Sequence, residues 1–514
     1  MKKNSVLKAI LLVILAVVVC TWIFPSIQFN GELVQDKKLQ VGIFDLFSYS
    51  VDVLRYFPYV TLMVLAIGVF YGVAYRIPAY RDLLDRIVDG FKGKEKIFLA
   101  SIIVLISVIT SVTGLSFAML FVFPFVISVV LLMGYNKLVA ACTTVGSVVV
   151  GMIGTTLGST TVDYTNYILQ TEVTDEMVTK VIILVLGIVL LVYNVLKYAS
   201  MTKNDTDRVL EFVPTFVKNS GVKEEVVEVK KVEKEEKVAK KKVAAKKKTK
   251  KTKANDDKAS AVKVVKNGKK SNIWAFAIVF DLVLILLALG TFNWETVAKA
   301  TWPAEWLKNI QNFKIDGFPI FAKILGSSFN AFGSWSLNLE MPAVIVLASM
   351  ILAFVYGLKF DKYIEGALDG MRRASRPLFY MLLAYLVLII VTYHPFQLHI
   401  TKFFLDMSKG LNVITLTVVT IFASLFNVES IYAAQSTLPY VTTVITDTSL
   451  YPIVAVIFQA IYGLTMLIAP TSVILVGVLT FLDIPYTQWL KHIWKLFLEL
   501  LIVLLIVFFI LVLI

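Results

Sequence analysis

The sequence contains few of the residue types that build reactive or metal sites. Only two cysteines and three histidines occur among its 514 residues. Cys20 and Cys142 both lie in apolar runs, so neither a disulfide framework nor a metal set is expected. A Gly-x4-Gly-Lys-Ser/Thr phosphate-binding loop is absent, so this chain is not expected to pump with ATP. Paired acids and a nucleophile with its base are missing too, so we predict no enzyme activity and no cofactor.

Charged residues are also scarce, at 17% of the chain, whereas 58% of the residues are hydrophobic and the mean hydropathy is +0.79. Apolar runs of about 17 to 25 residues recur along the sequence, which is typical of an integral membrane protein. The first run, residues 6–23, follows Met1-Lys-Lys and is long enough to span a bilayer. It is expected to be a retained membrane helix rather than a cleaved signal peptide.

Most of the positive charge lies in one segment. Residues 221–272 contain 19 lysines and 8 acidic residues, so they carry +11 of the net charge of +14. Because this segment lacks aromatic residues and has little to bury, we predict that residues 201–272 form a disordered cytoplasmic linker. Its lysines suit anionic lipid head groups. Nucleic acid is not an expected partner, because nothing nearby could stack on bases or read them.

Clusters of Lys and Arg orient the apolar runs. With a cytoplasmic N-terminus, they predict nine membrane crossings and an external C-terminus. Residues 76–96 and 359–376 are basic stretches, and residues 80–91 within the first have helical apolar spacing, so both are expected to lie in the membrane interface. The predicted crossings are residues 6–24, 57–75, 137–170, 179–198, 273–292, 341–357, 378–394, 451–480 and 496–514.

Two further apolar segments are predicted to be re-entrant hairpins. Residues 97–134 are preceded by Lys94 and Lys96 and followed by Lys137, so both of their ends are expected to be cytoplasmic. Residues 410–449 start from the external side. The chain thus divides into a first membrane half, residues 1–200, and a second, residues 273–514. Each half contains one hairpin and one broken helix, at residues 137–170 and 451–480.

The interruptions in the two halves match. The hairpins read Thr110-Ser-Val-Thr-Gly-Leu-Ser116 and Ser424-Leu-Phe-Asn-Val-Glu-Ser430, and the helix breaks read Gly154-Thr-Thr-Leu-Gly-Ser-Thr-Thr161 and Ala469-Pro-Thr-Ser472. Gly114 lies ten positions before Pro124, as Glu429 does before Pro439. Unwound backbone persists at membrane depth only where it lines a cavity. The pattern therefore predicts an inverted repeat with a transporter's binding site between the halves.

Small polar residues at these interruptions are the candidate binding residues. Free N–H groups at half-helix N-termini suit an anion, and free carbonyls with hydroxyls suit Na⁺. The alternative is that small residues only allow close helix packing in lipid. The first cluster comprises Thr113, Gly114, Ser116, Gly154, Thr155, Thr156, Ser159 and Thr160. The second comprises Asn427, Glu429, Ser430, Pro470, Thr471 and Ser472.

Glu429 is the most informative single residue. A carboxylate at membrane depth costs at least ~2.5 kcal/mol on insertion scales, so it rarely persists without a role. It could bind a substrate ammonium, carry the coupling proton or complete a cation site; the alternative is a shallow, solvated hairpin tip. No Lys or Arg lies in either hairpin or break. An amino acid-like solute would use Glu429, whereas a dicarboxylate would leave it unexplained. Weaker candidates are Asp163, Asp281, His394, His399 and His492.

Four stretches resemble the YfcC family, which is grouped with anaerobic four-carbon dicarboxylate carriers in the ion transporter superfamily. They are Thr21-Trp-Ile-Phe-Pro-Ser26, Gly93-Lys-Glu-Lys96, Ala469-Pro-Thr-Ser472 and Ile484-Pro-Tyr-Thr-Gln-Trp-Leu-Lys-His-Ile-Trp-Lys-Leu496. The resemblance covers most of the chain outside residues 200–272. It implies an all-α membrane fold and a homodimer with a scaffold half, a moving transport half and elevator-type alternating access.

The chain departs from that family at both hairpin tips. It has Gly114-Leu-Ser-Phe-Ala118 where the family usually carries Gly-Met-Ala-Glu-Glu, and Phe426-Asn-Val-Glu-Ser430 where the family is rich in Pro and Ser. The resemblance therefore implies the fold but not the substrate.

The sequence as a whole predicts an ion-coupled secondary transporter in the cell membrane, with Na⁺ or H⁺ as the coupling ion. Its solute is expected to be a small organic ion, either amino acid-like or a carboxylate. Two alternatives stay open. One is a C4-dicarboxylate exchanger, and the other is a membrane scaffold whose basic linker recruits partners without transport.

Overall fold

The computed structural model describes residues 5–29, 31–35, 40–202, 272–326, 329–335, 339–408 and 410–513. The predicted linker at residues 201–272 lies outside these ranges except at its two ends. The described chain is mostly helical. One short antiparallel pair, β1 (Ile27–Phe29) and β2 (Leu33–Gln35), places Gln28 opposite Val34.

The helices of the first half are α1 (Ser5–Ile23), α2 (Ile43–Tyr56), α3 (Pro58–Ala74), α4 (Pro78–Gly90), α5 (Glu95–Thr113), α6 (Phe123–Leu132), α7 (Lys137–Ala141), α8 (Ser147–Ile153), α9 (Ser159–Leu169) and α10 (Met177–Thr202). A 3₁₀ turn at Phe117–Phe121 precedes α6, and a π turn at Cys142–Gly146 joins α7 to α8.

The helices of the second half are α11 (Ile273–Thr291), α12 (Trp294–Ala298), α13 (Trp302–Asn312), α14 (Ile320–Leu325), α15 (Glu340–Val355), α16 (Phe360–Tyr393), α17 (Gln397–Asp406), α18 (Val413–Phe426), α19 (Ser430–Val444), α20 (Tyr451–Thr465), α21 (Val473–Phe481) and α22 (Tyr486–Leu513).

Seven described helices are long and apolar enough to cross a membrane, and the α2–α3 pair, bent by 69°, raises the number to eight. The chain is therefore a multi-pass membrane protein. One of the seven is α5, which the sequence predicts as one arm of a re-entrant hairpin. Helix α15 and the segment Lys137–Ile153 are apolar but shorter. The count of nine crossings and the re-entrant hairpins stay predictions.

Helix α16 differs from the expected pattern. Residues 359–376 were expected to form a separate interfacial stretch, but they continue into the membrane helix, which is 34 residues long and contains Pro377. The charged residues at its start are paired, because Lys362 contacts Glu365 at 2.9 Å and Arg76, in the turn that follows α3, contacts the same carboxylate at 3.1 Å. The final helix also begins earlier than expected, at Tyr486. Its first two turns are polar, so a helix boundary set by hydropathy excludes them.

Helices α3 and α16 cross with their backbones in contact. Gly68 and Gly72 of α3 face Gly366 and Gly370 of α16, with a spacing of four residues on each helix. A Cβ atom at Gly370 would lie 1.8 Å from the Gly68 carbonyl oxygen, and one at Gly72 would lie 2.1 Å from the Gly366 oxygen. Small residues allow such close helix packing in membranes. Helix α15 packs on α3 and α11 packs on α15, and we call α3, α11, α15 and α16 the frame group.

A second set of helices contains the interruptions. Helix α5 packs on α8, while α8 and α18 both pack on α20. Gly151 of α8 and Gly463 of α20 allow close contacts, because a Cβ atom there would lie 2.6 Å from the Ser107 oxygen and from the Ile153 nitrogen, respectively. We call α5–α9 and α18–α21 the interrupted group. The breaks of both halves thus lie in one packed set.

Candidate functional site

Three interruptions that are far apart in sequence line one cavity. They are the first tip (residues 114–118), the second tip (residues 428–431) and the start of α21 at residues 472–474. The frame group supplies the opposite wall through Tyr59, Met63, Thr291, Met341, Pro342 and Tyr385. The space is about 1020 Å³, including the part that is continuous with solvent. The cavity therefore lies between the frame group and the interrupted group.

The first tip is shaped by the end of α5. Gly114 caps that helix with φ of +72°, a left-handed conformation that glycine adopts without steric cost. The Thr113 hydroxyl donates to the Ile109 carbonyl at 2.6 Å and accepts from the Leu115 N–H at 3.2 Å. The chain then turns into the 3₁₀ segment, so the backbone of residues 114–118 borders the cavity instead of continuing the helix.

Glu429 is the N-cap residue of α19 and is partly buried at the cavity wall. Its Oε1 accepts a hydrogen bond from the Tyr385 hydroxyl at 2.6 Å and another from the Tyr59 hydroxyl. The two hydroxyl oxygens lie 3.0 Å apart. No described residue donates to Oε2 of Glu429. The frame group therefore holds one oxygen of the carboxylate and leaves the other for a ligand.

Tyr59 and Tyr385 were not predicted from the sequence. They lie 326 positions apart, and neither belongs to a predicted hairpin or helix break. The signal that points to them is chemical, because a tyrosine inside an apolar helix needs a partner for its hydroxyl. That signal does not identify the partner, which tertiary packing alone provides.

Aromatic rings surround the carboxylate. Tyr59, Phe117, Tyr385 and Tyr462 all line the cavity. The Tyr59 ring meets Phe117 and Tyr385 edge-on, with centroid distances of 6.3 and 6.5 Å. The Tyr462 hydroxyl donates to the Val428 carbonyl at 3.0 Å, which fixes the second tip. Among the described residues that line the cavity, Glu429 is the only acidic or basic side chain.

The second break presents a helix N-terminus to the cavity. The Ser472 side chain caps α21 by accepting from the Leu475 N–H at 3.5 Å. The N–H groups of Val473 and Ile474 have no hydrogen-bond acceptor among the described residues. Pro470 precedes this turn, and the Thr471 hydroxyl donates to the Leu425 carbonyl near the end of α18 at 2.8 Å.

The first break is bound to the end of α5 by several hydrogen bonds. The Thr156 N–H donates to the Ser111 carbonyl at 3.1 Å, and the Ser111 hydroxyl donates to the Gly154 carbonyl at 2.6 Å. The hydroxyl oxygens of Ser111 and Thr156 are 3.0 Å apart. The Thr155 hydroxyl donates to the Met152 carbonyl at 2.7 Å. Ser111 belongs to the interrupted run, but its role was not anticipated.

The two breaks are tied in the same manner. Thr156 reaches Ser111 in the last turn of α5, and Thr471 reaches Leu425 in the last turn of α18. Each threonine therefore joins a helix break to the helix that precedes a tip. This matched geometry gives the threonines a structural role that their spacing alone did not reveal.

The predicted residues thus fall into two sets. Those that line the cavity are Gly114, Ser116, Glu429, Ser430 and Ser472. Those that do not line it are Thr113, Gly154, Thr155, Thr156, Asn427, Pro470 and Thr471. Asn427 donates to Gln397 at 3.0 Å and to the Ala423 carbonyl at 2.8 Å. Helix α9 begins at Ser159 and continues through Thr160.

The weaker candidates lie outside the cavity. Asp163 accepts from Asn293 at 2.7 Å, and Asp281 is exposed on α11. His394 is 2.8 Å from the Tyr49 hydroxyl, His399 is 2.9 Å from the Pro25 carbonyl, and His492 packs on the Tyr198 ring. Within the described ranges, no group of three His, Cys, Asp or Glu side chains could hold a metal ion.

Comparison with known proteins identifies a family. The model of the family described as DcuC, C4-dicarboxylate anaerobic carrier, matches residues 4–513. A solved structure titled "Crystal structure of the Alcanivorax borkumensis YdaH transporter reveals an unusual topology" aligns over 99% of this chain and 97% of its own, at 14% identity and a TM-score of 0.39. That similarity is too low to support an inference about this chain. The search of curated proteins found no match to this chain.

Proposed function

The chain belongs to the DcuC family of C4-dicarboxylate anaerobic carriers, and on this premise we propose that its cavity binds a small organic ion, which crosses the cell membrane together with Na⁺ or H⁺. It is a membrane secondary transporter and not an enzyme. The observation that carries the proposal is the meeting of both tips and the second break at one cavity. Unwound backbone at such a point provides N–H and carbonyl groups for solute and ion.

We assign direct contact with the solute to Gly114, Ser116, Glu429, Ser430 and Ser472, because they line the cavity. Thr113, Gly154, Thr155, Thr156, Asn427 and Thr471 fix the shape of the tips and breaks through their hydrogen bonds. Pro470 contributes to the second break through its fixed φ and missing N–H. Ser159 and Thr160 belong to the first break by sequence. Carbonyl oxygens at the two breaks are the proposed positions for Na⁺ where Na⁺ is the coupling ion.

The proposed mechanism is elevator-type alternating access, in which the interrupted group moves against the frame group. The glycine crossing of α3 and α16 supports a rigid frame, since it allows no gap between the helices. Polar contacts that join the groups would exchange partners during such a movement. They include the contact of Tyr59 and Tyr385 with Glu429, and the 2.7 Å hydrogen bond that the Tyr71 hydroxyl donates to the Phe121 carbonyl. The 2.6 Å ion pair of Arg376 with Asp483, in the turn after α21, is another.

We place the chain in the YfcC branch of this family, as a homodimer with an inverted repeat of nine crossings and two re-entrant hairpins. The matched ties of Thr156 and Thr471 support the repeat. The proposed location is the plasma membrane, with the N-terminus and the linker in the cytoplasm and the C-terminus outside. The proposed domains are residues 1–200, 201–272 and 273–514.

A C4-dicarboxylate exchanger is the second candidate function. The family description supports it, and the helix N-terminus at Val473 and Ile474 could accept a carboxylate. The cavity does not support the alternative of a membrane scaffold with a recruiting linker, because a scaffold would not need two tips that line one cavity.

The test is uptake by purified protein in proteoliposomes. A panel of radiolabelled amino acids and carboxylates is offered while a Na⁺ gradient and a pH gradient are imposed separately. We expect saturable uptake of at least one organic ion that one of the two gradients accelerates. Folded protein that takes up no panel member under either gradient would contradict the transport function.

A further inference from the structure

We propose that the transported solute carries an organic ammonium group, which binds to Oε2 of Glu429 inside the aromatic wall of the cavity. This inference rests on the proposed transport function and names the substrate class. It goes against the simplest expectation from the family description, which is a solute with two carboxylates and no positive charge.

The charge of the cavity favours a cation. Glu429 is the single acidic side chain among the described lining residues, and Lys, Arg and His are absent from that part of the wall. A dicarboxylate in this space would bring two negative charges next to the Glu429 carboxyl group, with no basic residue among the described lining residues to compensate them. A desolvated charge is strongly disfavoured without a partner of opposite charge. The ammonium group of a solute is such a partner for Glu429.

The orientation of the carboxylate also fits a ligand. Both tyrosine hydroxyls donate to Oε1, so that oxygen already accepts two hydrogen bonds from the protein. Oε2 accepts no hydrogen bond from the described residues. An ammonium group has three N–H donors and no acceptor, so it complements this free oxygen.

The aromatic rings supply a second means of recognition. Organic cations bind to the faces of aromatic rings within about 6 Å, and Tyr is an effective partner for such contacts. Tyr59, Phe117, Tyr385 and Tyr462 place four rings on the wall around Glu429. A cavity that combines one carboxylate with several rings suits an ammonium better than it suits a second carboxylate.

The opposite wall can bind a carboxylate of the same solute. The N–H groups of Val473 and Ile474 at the start of α21 border the same cavity and have no protein acceptor among the described residues. A helix N-terminus favours negative charge. A molecule with an ammonium and a carboxylate, such as an amino acid, would therefore match both walls.

The experiment compares three probes in proteoliposomes containing the full-length chain: 4-aminobutyrate, L-lysine and succinate. 4-Aminobutyrate and succinate both have linear four-carbon backbones, but only the first has an ammonium. We expect saturable uptake of at least one amine, in preference to succinate. Glu429→Gln should raise its half-saturating concentration about 10- to 150-fold, as expected for losing a hydrogen bond to a charged group.

Matched variants identify the cause. Glu429→Asp keeps the charge and should recover part of the affinity for the amine, whereas Glu32→Gln removes an exposed carboxylate away from the cavity and should leave uptake unchanged. Tryptophan fluorescence and gel filtration check that each variant is folded.

Two results overturn the inference while leaving the transport function intact. One is gradient-driven uptake of succinate without uptake of either amine. The other is amine uptake whose half-saturating concentration is unchanged in Glu429→Gln, which would restrict the carboxylate to a role such as proton carriage. Absence of gradient-driven uptake for the entire panel of amino acids and carboxylates would instead refute the proposed function itself.

Discussion

Replacing Gly370 by alanine tests the frame group directly. The new Cβ atom would lie 1.8 Å from the Gly68 carbonyl oxygen, 2.6 Å from the Gly68 carbonyl carbon and 3.0 Å from the Gly72 Cα. These are backbone atoms, so no flexible side chain can move aside. Restoring an ordinary carbon–oxygen contact requires α3 and α16 to separate by more than about 1 Å, which removes packing along the crossing.

Overpacking of a well-packed site typically costs about 1–3 kcal/mol. We expect Gly370→Ala to reach the upper part of this range, because the clash involves two backbones. The assay is thermal unfolding of the purified protein in detergent, followed by intrinsic fluorescence. The apparent midpoint should fall by several degrees, and gradient-driven uptake per folded molecule should fall as well, because Tyr59 and Tyr385 lie on the two displaced helices.

Gly90→Ala is the matched control. Gly90 ends α4, has no positive φ, and has no heavy atom within 4 Å of the position that the alanine methyl group would take. Its substitution should leave the midpoint unchanged or slightly raised, since alanine is the better helix former. Equal midpoints for Gly370→Ala and Gly90→Ala would refute the close crossing of α3 and α16 and, with it, the argument for a rigid frame.

Three further predictions concern the breaks, the linker and the topology. Thr156→Ala and Ser472→Ala should each raise the half-saturating concentration of the coupling ion or solute about two- to tenfold, because each loses a hydrogen bond worth about 0.5–1.5 kcal/mol. Ser111→Ala should have the same effect as Thr156→Ala. Wild-type kinetics in all three variants would show that the breaks serve only helix packing. Deleting residues 230–270 should leave the transport rate per molecule nearly unchanged, because the segment is charged and has little to bury; loss of transport at normal membrane levels would show that it gates or couples. Single cysteines at Thr174 and Lys402 should react with an impermeant reagent in intact cells, whereas one at Lys137 should react only after the membrane is permeabilised; external labelling at position 137 would contradict a re-entrant first hairpin.

The interruptions could be found in the sequence because they are local. Gly114, Pro470 and the Ser/Thr runs break an apolar pattern within a few residues, and backbone chemistry explains why such breaks occur only around a cavity. The prediction that Gly114, Ser116, Glu429, Ser430 and Ser472 belong to a site rests on that local signal. All five line one cavity in the structure, while binding by them stays a prediction.

The parts of the site that the sequence did not predict depend on contacts between distant segments. Tyr59 and Tyr385 reach Glu429 only because α3 and α16 cross at four glycines, and no spacing within either helix encodes that crossing. The sequence pattern predicted two segments where the structure has the single helix α16, because the first turns of that helix carry charge. One of these charges, on Glu365, is paired with Arg76 from a distant part of the chain. Contacts between distant segments therefore account for what local patterns did not reveal.

The transport site is tested most simply by gradient-driven uptake by the wild-type protein, Glu429→Gln and Glu32→Gln in the same proteoliposome preparation. We expect saturable, gradient-dependent uptake of an organic ion by the wild type and by Glu32→Gln. For Glu429→Gln we expect uptake that is abolished, or whose half-saturating concentration rises about 10- to 150-fold. Identical uptake by all three proteins would contradict the assignment of the cavity around Glu429 as the transport site.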